Sequence, residues 1–172
     1  MINNEEEIII NTKSCSGGGC ADKKGAKCCD NGGACGGGGC ADKKTESANI
    51  SELNQWPIKL HLIDPDAPYF KEADILIAAD CAPFAYANFH EKFLKGRKLI
   101  IFCPKLDNGQ DLYVEKLTEL FVSQNIRTLT LVRMEAPCCD GFEDVVVKAI
   151  EKSGVNVLVK LLTLSLKGEI VA

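Results

Sequence analysis

The composition of this chain changes sharply near residue 48, and the change limits the protein to one folded domain of ordinary size. The first 50 residues hold 10 of the 15 glycines and six of the ten cysteines, but no aromatic residue. Such a segment buries too little apolar surface to offset the conformational entropy lost on folding. The sequence therefore predicts a disordered glycine- and cysteine-rich tail over residues 1–48 and one folded domain over residues 49–172.

Charge and hydropathy argue against several classes of function. Lys and Arg number 20 against 24 Asp and Glu, without a basic cluster long enough to follow a phosphate backbone, so nucleic acid is not expected as a partner. No apolar run is long enough for a membrane span, and the acidic N-terminus does not resemble a secretory signal. We expect a cytoplasmic protein without membrane contact, in which dense cysteine indicates metal or redox chemistry.

The tail contains a thiol-rich repeat. The pattern C-x4-C followed by ADKK occurs at residues 15–24 and again at 35–44, with a cysteine pair between the two copies. The spacing differs from that of zinc ribbons, although zinc remains possible. We predict an arm that collects metal or delivers clusters, with a low-complexity tract of incidental thiols as the alternative. Its candidate ligands are Cys15, Cys20, Cys28, Cys29, Cys35 and Cys40.

After residue 53, short apolar runs alternate with stretches of helical periodicity. Length and β-branched content predict strands at 58–63, 74–79, 98–102, 128–132 and 155–159. Helices are predicted at 83–94, with Phe84, Phe89 and Phe93 on one face, at 111–124, and from an Asp140 cap to Gly154, with a last turn at 167–168. This alternation predicts an α/β fold: an open, mainly parallel sheet with helices on both faces, a three-layer arrangement of Rossmann or flavodoxin type.

The four remaining cysteines, Cys81, Cys103, Cys138 and Cys139, lie at or just beyond the carboxyl ends of predicted strands. In an open α/β sheet these ends converge on one crevice where ligands bind. Soft thiolates favour iron–sulfur clusters, zinc or copper(I), and four cysteines suit an iron–sulfur cluster. We therefore predict a cluster site here, with zinc as the alternative ion and buried small apolar side chains as the alternative role.

Five segments of the domain resemble the iron–sulfur cluster-binding proteins of anaerobic bacteria and archaea known as 4Fe-4S ferredoxins. The resemblance covers residues 53–160, and its motifs are LNQWP (53–57), AADCAPFAY (78–86), FHEKFLKGR (89–97), CPKLD (103–107) and RMEAPCC (133–139). It implies electron transfer. In that family a module with C-x2-C-x2-C-x3-C-P spacing commonly precedes this region, whereas here the C-x4-C repeats take its place.

The leading hypothesis is a small electron-transfer protein with a redox protein as its partner and one [4Fe-4S] cluster on the domain cysteines. Cys81, Cys103 and the Cys138–Cys139 pair supply its ligands; the alternative for one member of the vicinal pair is a redox-active thiol beside the cluster rather than a ligand. A redox carrier or accessory protein is favoured over a stand-alone enzyme, because no Ser-His-Asp set, P-loop or G-x-G-x-x-G motif is present. One alternative is metal or cluster trafficking and storage by the tail. Another is thiol or sulfur transfer by the Cys138–Cys139 pair.

Other polar groups near the cysteines have structural as well as functional interpretations. His61 and His90 are expected to be structural or solvated. Arg133 could balance the charge of a cluster or pair with Glu135, and Asp80 could cap the helix that begins at Pro83.

Overall fold

The computed structural model describes residues 7–8 and 50–171, in which strands and helices alternate. The strands are β1 (Glu7–Ile8), β2 (Asp74–Ala79), β3 (Lys98–Phe102), β4 (Thr128–Met134) and β5 (Leu158–Leu164). The helices are α1 (Ala82–Ala85), α2 (Gln110–Gln124) and α3 (Phe142–Ser153). A π-helical turn occupies His90–Leu94, and 3-10 turns occupy Pro68–Phe70 and Pro137–Cys139.

The strands form one sheet in the order β1-β5-β4-β2-β3. Strands β2 to β5 are parallel, and β1 pairs antiparallel with β5. The chain passes from β2 to β3 on one side and then crosses to β4 on the other side, so the strand order reverses between β2 and β4. A reversal of this kind opens a crevice outside the carboxyl ends of the strands.

Helices lie on both faces of the sheet, which confirms the predicted three-layer architecture. Helices α2 and α3 pack against each other. The right-handed crossovers expected between parallel strands place them on the face opposite the connection between β2 and β3. Because both faces are covered, β2 is buried from Ile75 to Ala79. The sheet is thus a rigid base for the loops at its carboxyl edge.

The predicted strand at 58–63 is wrong. Lys59 forms a single parallel bridge with Ile101 of β3, after which the chain turns and the amides of Leu62 and Ile63 both donate to the Lys59 carbonyl. Leu60 and Ile63 are buried whereas Leu62 is exposed, a spacing of three that a strand cannot provide. The segment therefore pairs with the outer edge of β3 at one position only, Lys59 with Ile101.

The predicted helix at 83–94 is interrupted. Helix α1 ends at Ala85, Tyr86 is extended, and the chain turns again at His90–Leu94. The break lets the Tyr86 ring pack on Phe93 with ring centroids 4.8 Å apart, and Phe89 and Phe93 are buried as expected. Phe84 is 92% exposed, so the prediction that it shares one face with Phe89 and Phe93 is wrong.

Further boundaries differ from the predictions by a few residues, including the end of β4 at Met134 instead of 132, and one turn is confirmed. Gly141, with φ of 84°, precedes α3 in place of the predicted cap, because the Asp140 amide closes the preceding turn on the Pro137 carbonyl. Strand β5 runs three residues later than predicted and ends at Leu164. The chain then turns at Gly168, and Ile170 pairs antiparallel with Leu164.

The predicted boundary at residue 48 stays a prediction, because it falls among residues that the structure does not describe. Of the first 48 residues only β1 is described, and it pairs with β5. Within the described part of the chain, no helix combines the length and apolar character needed to cross a bilayer.

Candidate functional site

The candidate site lies at the carboxyl edge of the sheet, around the reversal of strand order. Cys81 follows β2 after one residue, Cys103 follows β3 directly, and Cys138 and Cys139 close the 3-10 turn beyond β4. Three of the four loops at this edge therefore carry cysteine, as the sequence predicts, and the loop after β5 carries none. Cys81 and the Cys138–Cys139 pair follow the two strands on either side of the reversal.

These four cysteines are free thiols that differ in exposure. Cys81 and Cys138 are exposed, Cys103 is half-buried, and Cys139 is 5% exposed. Thiols available at the surface can exchange ligands or sulfur, whereas buried thiols need a partner that offsets their desolvation when they ionise. The site thus combines two accessible sulfurs with two that are partly or fully enclosed.

Cys139 lies near its neighbour Cys138 and near the Cys103 loop. Burial raises the pKa of its thiol above the ordinary value, a backbone hydrogen bond with Met134 opposes the shift, and nearby Cys138 and Cys103 add to it. The thiol of Cys103, in the loop after β3, therefore lies close enough to Cys139, in the loop after β4, to influence it. A bound cation or cluster would relieve the repulsion between the corresponding thiolates.

The Cys103 loop is closed by Asp107. The Cys103 amide donates to Asp107 Oδ2 at 2.9 Å, and the Asp107 amide donates back to the Cys103 carbonyl at 3.0 Å. The Leu106 amide lies 3.4 Å from Cys103 Sγ and donates to it. Amide hydrogen bonds to sulfur stabilise a thiolate and tune the potential of an iron–sulfur cluster.

Lys59 joins this loop to the one that carries Cys81. Its Nζ donates to Asp80 Oδ2 and, at 3.1 Å, to Asp107 Oδ2. Burial alone would lower the pKa of Lys59, but its hydrogen bonds with the two carboxylates prevail and raise it. Burial alone would raise the pKa of Asp107, but hydrogen bonds from the Cys103 amide, Lys59 and Tyr113 prevail and lower it.

Aromatic side chains form the base of the site. Phe102 stacks on Phe142 with ring centroids 4.6 Å apart and packs edge-on against Tyr113 at 5.6 Å. Burial, together with the hydrogen bond to Asp107, raises the pKa of Tyr113 to about 12. Since Phe102 precedes Cys103 and Phe142 begins α3 beyond Cys139, this stack fixes the ends of two cysteine loops.

Beside the Cys138–Cys139 turn lies an open polar groove. Arg133 pairs with Glu143 at 2.7 Å, and its Nε also donates to Thr163 at 3.3 Å. Its ion pair is therefore with α3 rather than with Glu135, the neighbour suggested by the sequence. The groove lining comprises Arg133, Glu135, Ala136, Pro137, Asp140 and Thr163.

The remaining predicted polar groups have structural partners. Asp80 pairs with Lys59 and does not cap α1, whose first turn has no side-chain cap. His90 Nδ1 accepts a hydrogen bond from the Glu52 amide at 3.1 Å, and the His61 carbonyl accepts one from Lys116. The six tail cysteines lie outside the described residues.

The donor set can be tested against the predicted cofactor. Within residues 50–171, no three His, Cys, Asp or Glu side chains lie close enough together to hold one metal ion. A [4Fe-4S] cluster binds each cysteine through a different iron, so its ligands are spread more widely than those of a single ion. Four free thiols on three loops, with an amide donating to one sulfur and an ammonium group beside the loops, match that chemistry.

Sequence reasoning missed Lys59, Asp107 and Tyr113. Lys59 stood in a predicted strand, and Tyr113 is one of many residues on a helix. The only available signal was the pair Cys103 and Asp107, whose spacing of four is that of a tight loop closed by a carboxylate.

Together the fold and these loops define the class: an α/β protein with free thiols at the reversal of its strand order. The chain belongs to the Rossmann-like domain family, whose model matches residues 67–172. It is 34% identical over 105 residues to an uncharacterized protein of Archaeoglobus fulgidus. The aligned residues make up 61% of this chain and 73% of the relative. No solved structure matches the chain at a significant level.

Proposed function

We propose that this protein is an iron–sulfur electron carrier whose single [4Fe-4S] cluster is held by Cys81, Cys103, Cys138 and Cys139. The observation that carries the proposal is that these four free thiols occupy three of the four loops at the carboxyl edge of the parallel strands, including both loops at the strand-order reversal. The bound cluster would supply one-electron chemistry. The carrier would work in the cytoplasm with a redox protein as its partner.

The chain's own residues have separable roles in this proposal. Cys139 and Cys103, the less exposed thiols, would bind the cluster from the protein interior, and Cys81 and Cys138 would bind it where solvent and a partner have access. The Leu106 amide donates to Cys103 Sγ, which favours the ligating thiolate. The aromatic base formed by Phe102 and Phe142 excludes water from beneath the site.

The test is ligand replacement in the full chain under anaerobic conditions. Cys81→Ser and Cys103→Ser should each remove most of the visible absorbance, together with most of about four iron and four sulfide per chain. The matched control is a protein in which the six tail cysteines are replaced by serine. It should retain the visible absorbance, the iron and the sulfide. Full iron and sulfide in both domain variants would overturn the ligand assignment.

A second function, sulfur transfer, is supported by the contrast within the vicinal pair. Cys138 is exposed, whereas Cys139 is buried and has a raised pKa caused by burial and by its neighbours Cys138 and Cys103. In such a step the Cys138 thiolate would attack the outer sulfur of a donor persulfide. That sulfur would pass to Cys138, and the donor would leave as a thiolate, without net oxidation.

Alkylation of the metal-free protein distinguishes sulfur transfer from electron transfer. Sulfur transfer predicts that Cys138 is labelled by iodoacetamide about tenfold or more faster than the other domain cysteines, as seen by peptide mapping. Uniform slow labelling of Cys81, Cys103 and Cys138 would rule out a dedicated nucleophile in the pair.

A further inference from the structure

The segment before the sheet contributes one charged side chain to the site. Lys59 is held against the outer edge of β3, where the Leu60 amide donates to the Ile101 carbonyl at 2.9 Å and the Ile101 amide to the Ile58 carbonyl at 2.8 Å. From this anchored backbone its ammonium group reaches two carboxylates that belong to different loops. The Lys59 side chain is 30% exposed, so these ion pairs are partly shielded from water.

Each carboxylate is joined to one cysteine loop. Asp80 is the residue before Cys81, and its amide donates to the Phe102 carbonyl at 3.3 Å. Asp107 accepts the Cys103 amide hydrogen bond with the same oxygen that accepts from Lys59. Lys59 therefore lies at the junction of the loops after β2 and β3.

Among the described residues, Lys59 is the cation that pairs with both Asp80 and Asp107. The second oxygen of Asp80, Oδ1, is buried and has no hydrogen-bond partner among the described residues. Removing the ammonium group would leave two carboxylates facing each other with no cation between them, and like charges at short range repel. The loops would then separate.

We infer that Lys59 is a positioning residue that holds the Cys81 and Cys103 loops in the arrangement needed to bind one metal centre. The evidence for the link between the loops is the two ion pairs of Lys59. The consequence of this link for metal binding rests on the proposed function. Groups around a metal site that orient its ligands commonly change affinity 10- to 100-fold when they are removed.

The first arm of the test needs no metal. Hydrogen exchange of the full-length, metal-free protein is followed by mass spectrometry in peptides that cover residues 80–85 and 103–109. Lys59→Met should raise exchange about tenfold in both loops, and Lys59→Arg should restore protection. Lys105→Met is the control. Lys105 is exposed, lies between Cys103 and Asp107 in the loop after β3, and forms no ion pair among the described residues.

Asp80→Asn separates the two halves of the link and guards against a failure of Lys59→Met to fold. It keeps the pair between Lys59 and Asp107, so exchange should rise in residues 80–85 and stay unchanged in residues 103–109. Equal protection of both loops in wild type, Lys59→Met and Asp80→Asn would overturn the inference, whether or not the protein binds metal.

The second arm uses Cd²⁺ as a probe, because its thiolate complexes absorb in the ultraviolet, and every protein compared carries serine at the six tail cysteines so that only the domain thiols contribute. Wild type and Lys105→Met should bind with equal affinity, Lys59→Met about tenfold or more weakly, and Lys59→Arg close to wild type. If hydrogen exchange rises in both loops of Lys59→Met while its Cd²⁺ affinity equals that of wild type, the positioning role is overturned. A wild-type domain with no thiolate–Cd²⁺ band would instead contradict the proposed function, leaving hydrogen exchange to decide the link between the loops.

Discussion

At the residue scale, Tyr113 is the group whose ionisation the site perturbs most clearly. It is 2% exposed, and burial and its hydrogen bond with Asp107 raise its pKa to about 12, from 10.0. Between these two values the unfolded chain releases the phenolic proton while the folded protein keeps it. Stability attributable to Tyr113 is therefore complete below pH 10 and is lost as the pH rises towards 12.

This linkage predicts a difference between wild type and Tyr113→Phe. From about pH 9 to about pH 11.5, wild type should lose on the order of 1–2 kcal/mol more unfolding free energy than the variant, which has no phenol to ionise. Urea denaturation at the two pH values measures the difference. Parallel losses in the two proteins would show that the Tyr113 hydroxyl ionises as readily in the folded as in the unfolded state.

The residues of the site were predictable only in part. A cysteine at the end of an apolar run can be placed from the sequence, because parallel strands bring their carboxyl ends to one edge. The ion pairs of Lys59 could not be placed, because they join residues 21 and 48 positions apart across loops whose paths depend on the whole sheet. Long-range electrostatics leaves no local pattern in a sequence.

At the element scale, the turn after β5 packs against the helix that follows Cys81. A side chain at Gly168, whose φ is 79°, would overlap the Ala85 carbonyl oxygen. Gly168→Ala should therefore destabilise the protein by about 2 kcal/mol or more, through backbone strain together with the displacement of this turn from α1.

Gly96→Ala is the matched control for this prediction. Gly96 also has a positive φ, 74°, but nothing lies within 4 Å of a side chain built there. Gly96→Ala should therefore lower the free energy of unfolding only by the backbone strain, about 1 kcal/mol. Urea unfolding of both variants gives the comparison, and equal destabilisation would mean that contact with α1 adds nothing.

Predictability also differs between elements for a physical reason. Strands β2 and β3 and the carboxyl end of α2 have the predicted boundaries, because continuous apolar runs and a long amphipathic period leave few alternative arrangements. Residues 58–63 and 83–94 have comparable patterns but lie at the sheet edge and beyond a strand end. There, single contacts such as Tyr86 on Phe93 decide the backbone path.

At the scale of the whole molecule, the cysteines fall into two sets whose roles can be separated by experiment. Four lie in the α/β domain, and six lie in the tail before it. Removing residues 1–48 would also remove β1, which pairs with β5. Serine replacement of the six tail cysteines is the cleaner change, because it preserves the whole chain.

If the tail collects metal for the domain, the six-serine protein should acquire its cluster more slowly and still reach the same final spectrum. Thiolate arms raise the local concentration of metal near a second site, which changes the rate of loading rather than the occupancy at equilibrium. Reconstitution of metal-free protein with limiting iron and sulfide, followed by visible absorbance, measures the rate. Rates equal to wild type would exclude delivery by the tail, and loss of iron from the final product would place metal on the tail itself. A Cys103→Ser protein with an intact tail completes the comparison: it should lose the final spectrum, because the tail cannot substitute for a ligand that the sheet edge positions.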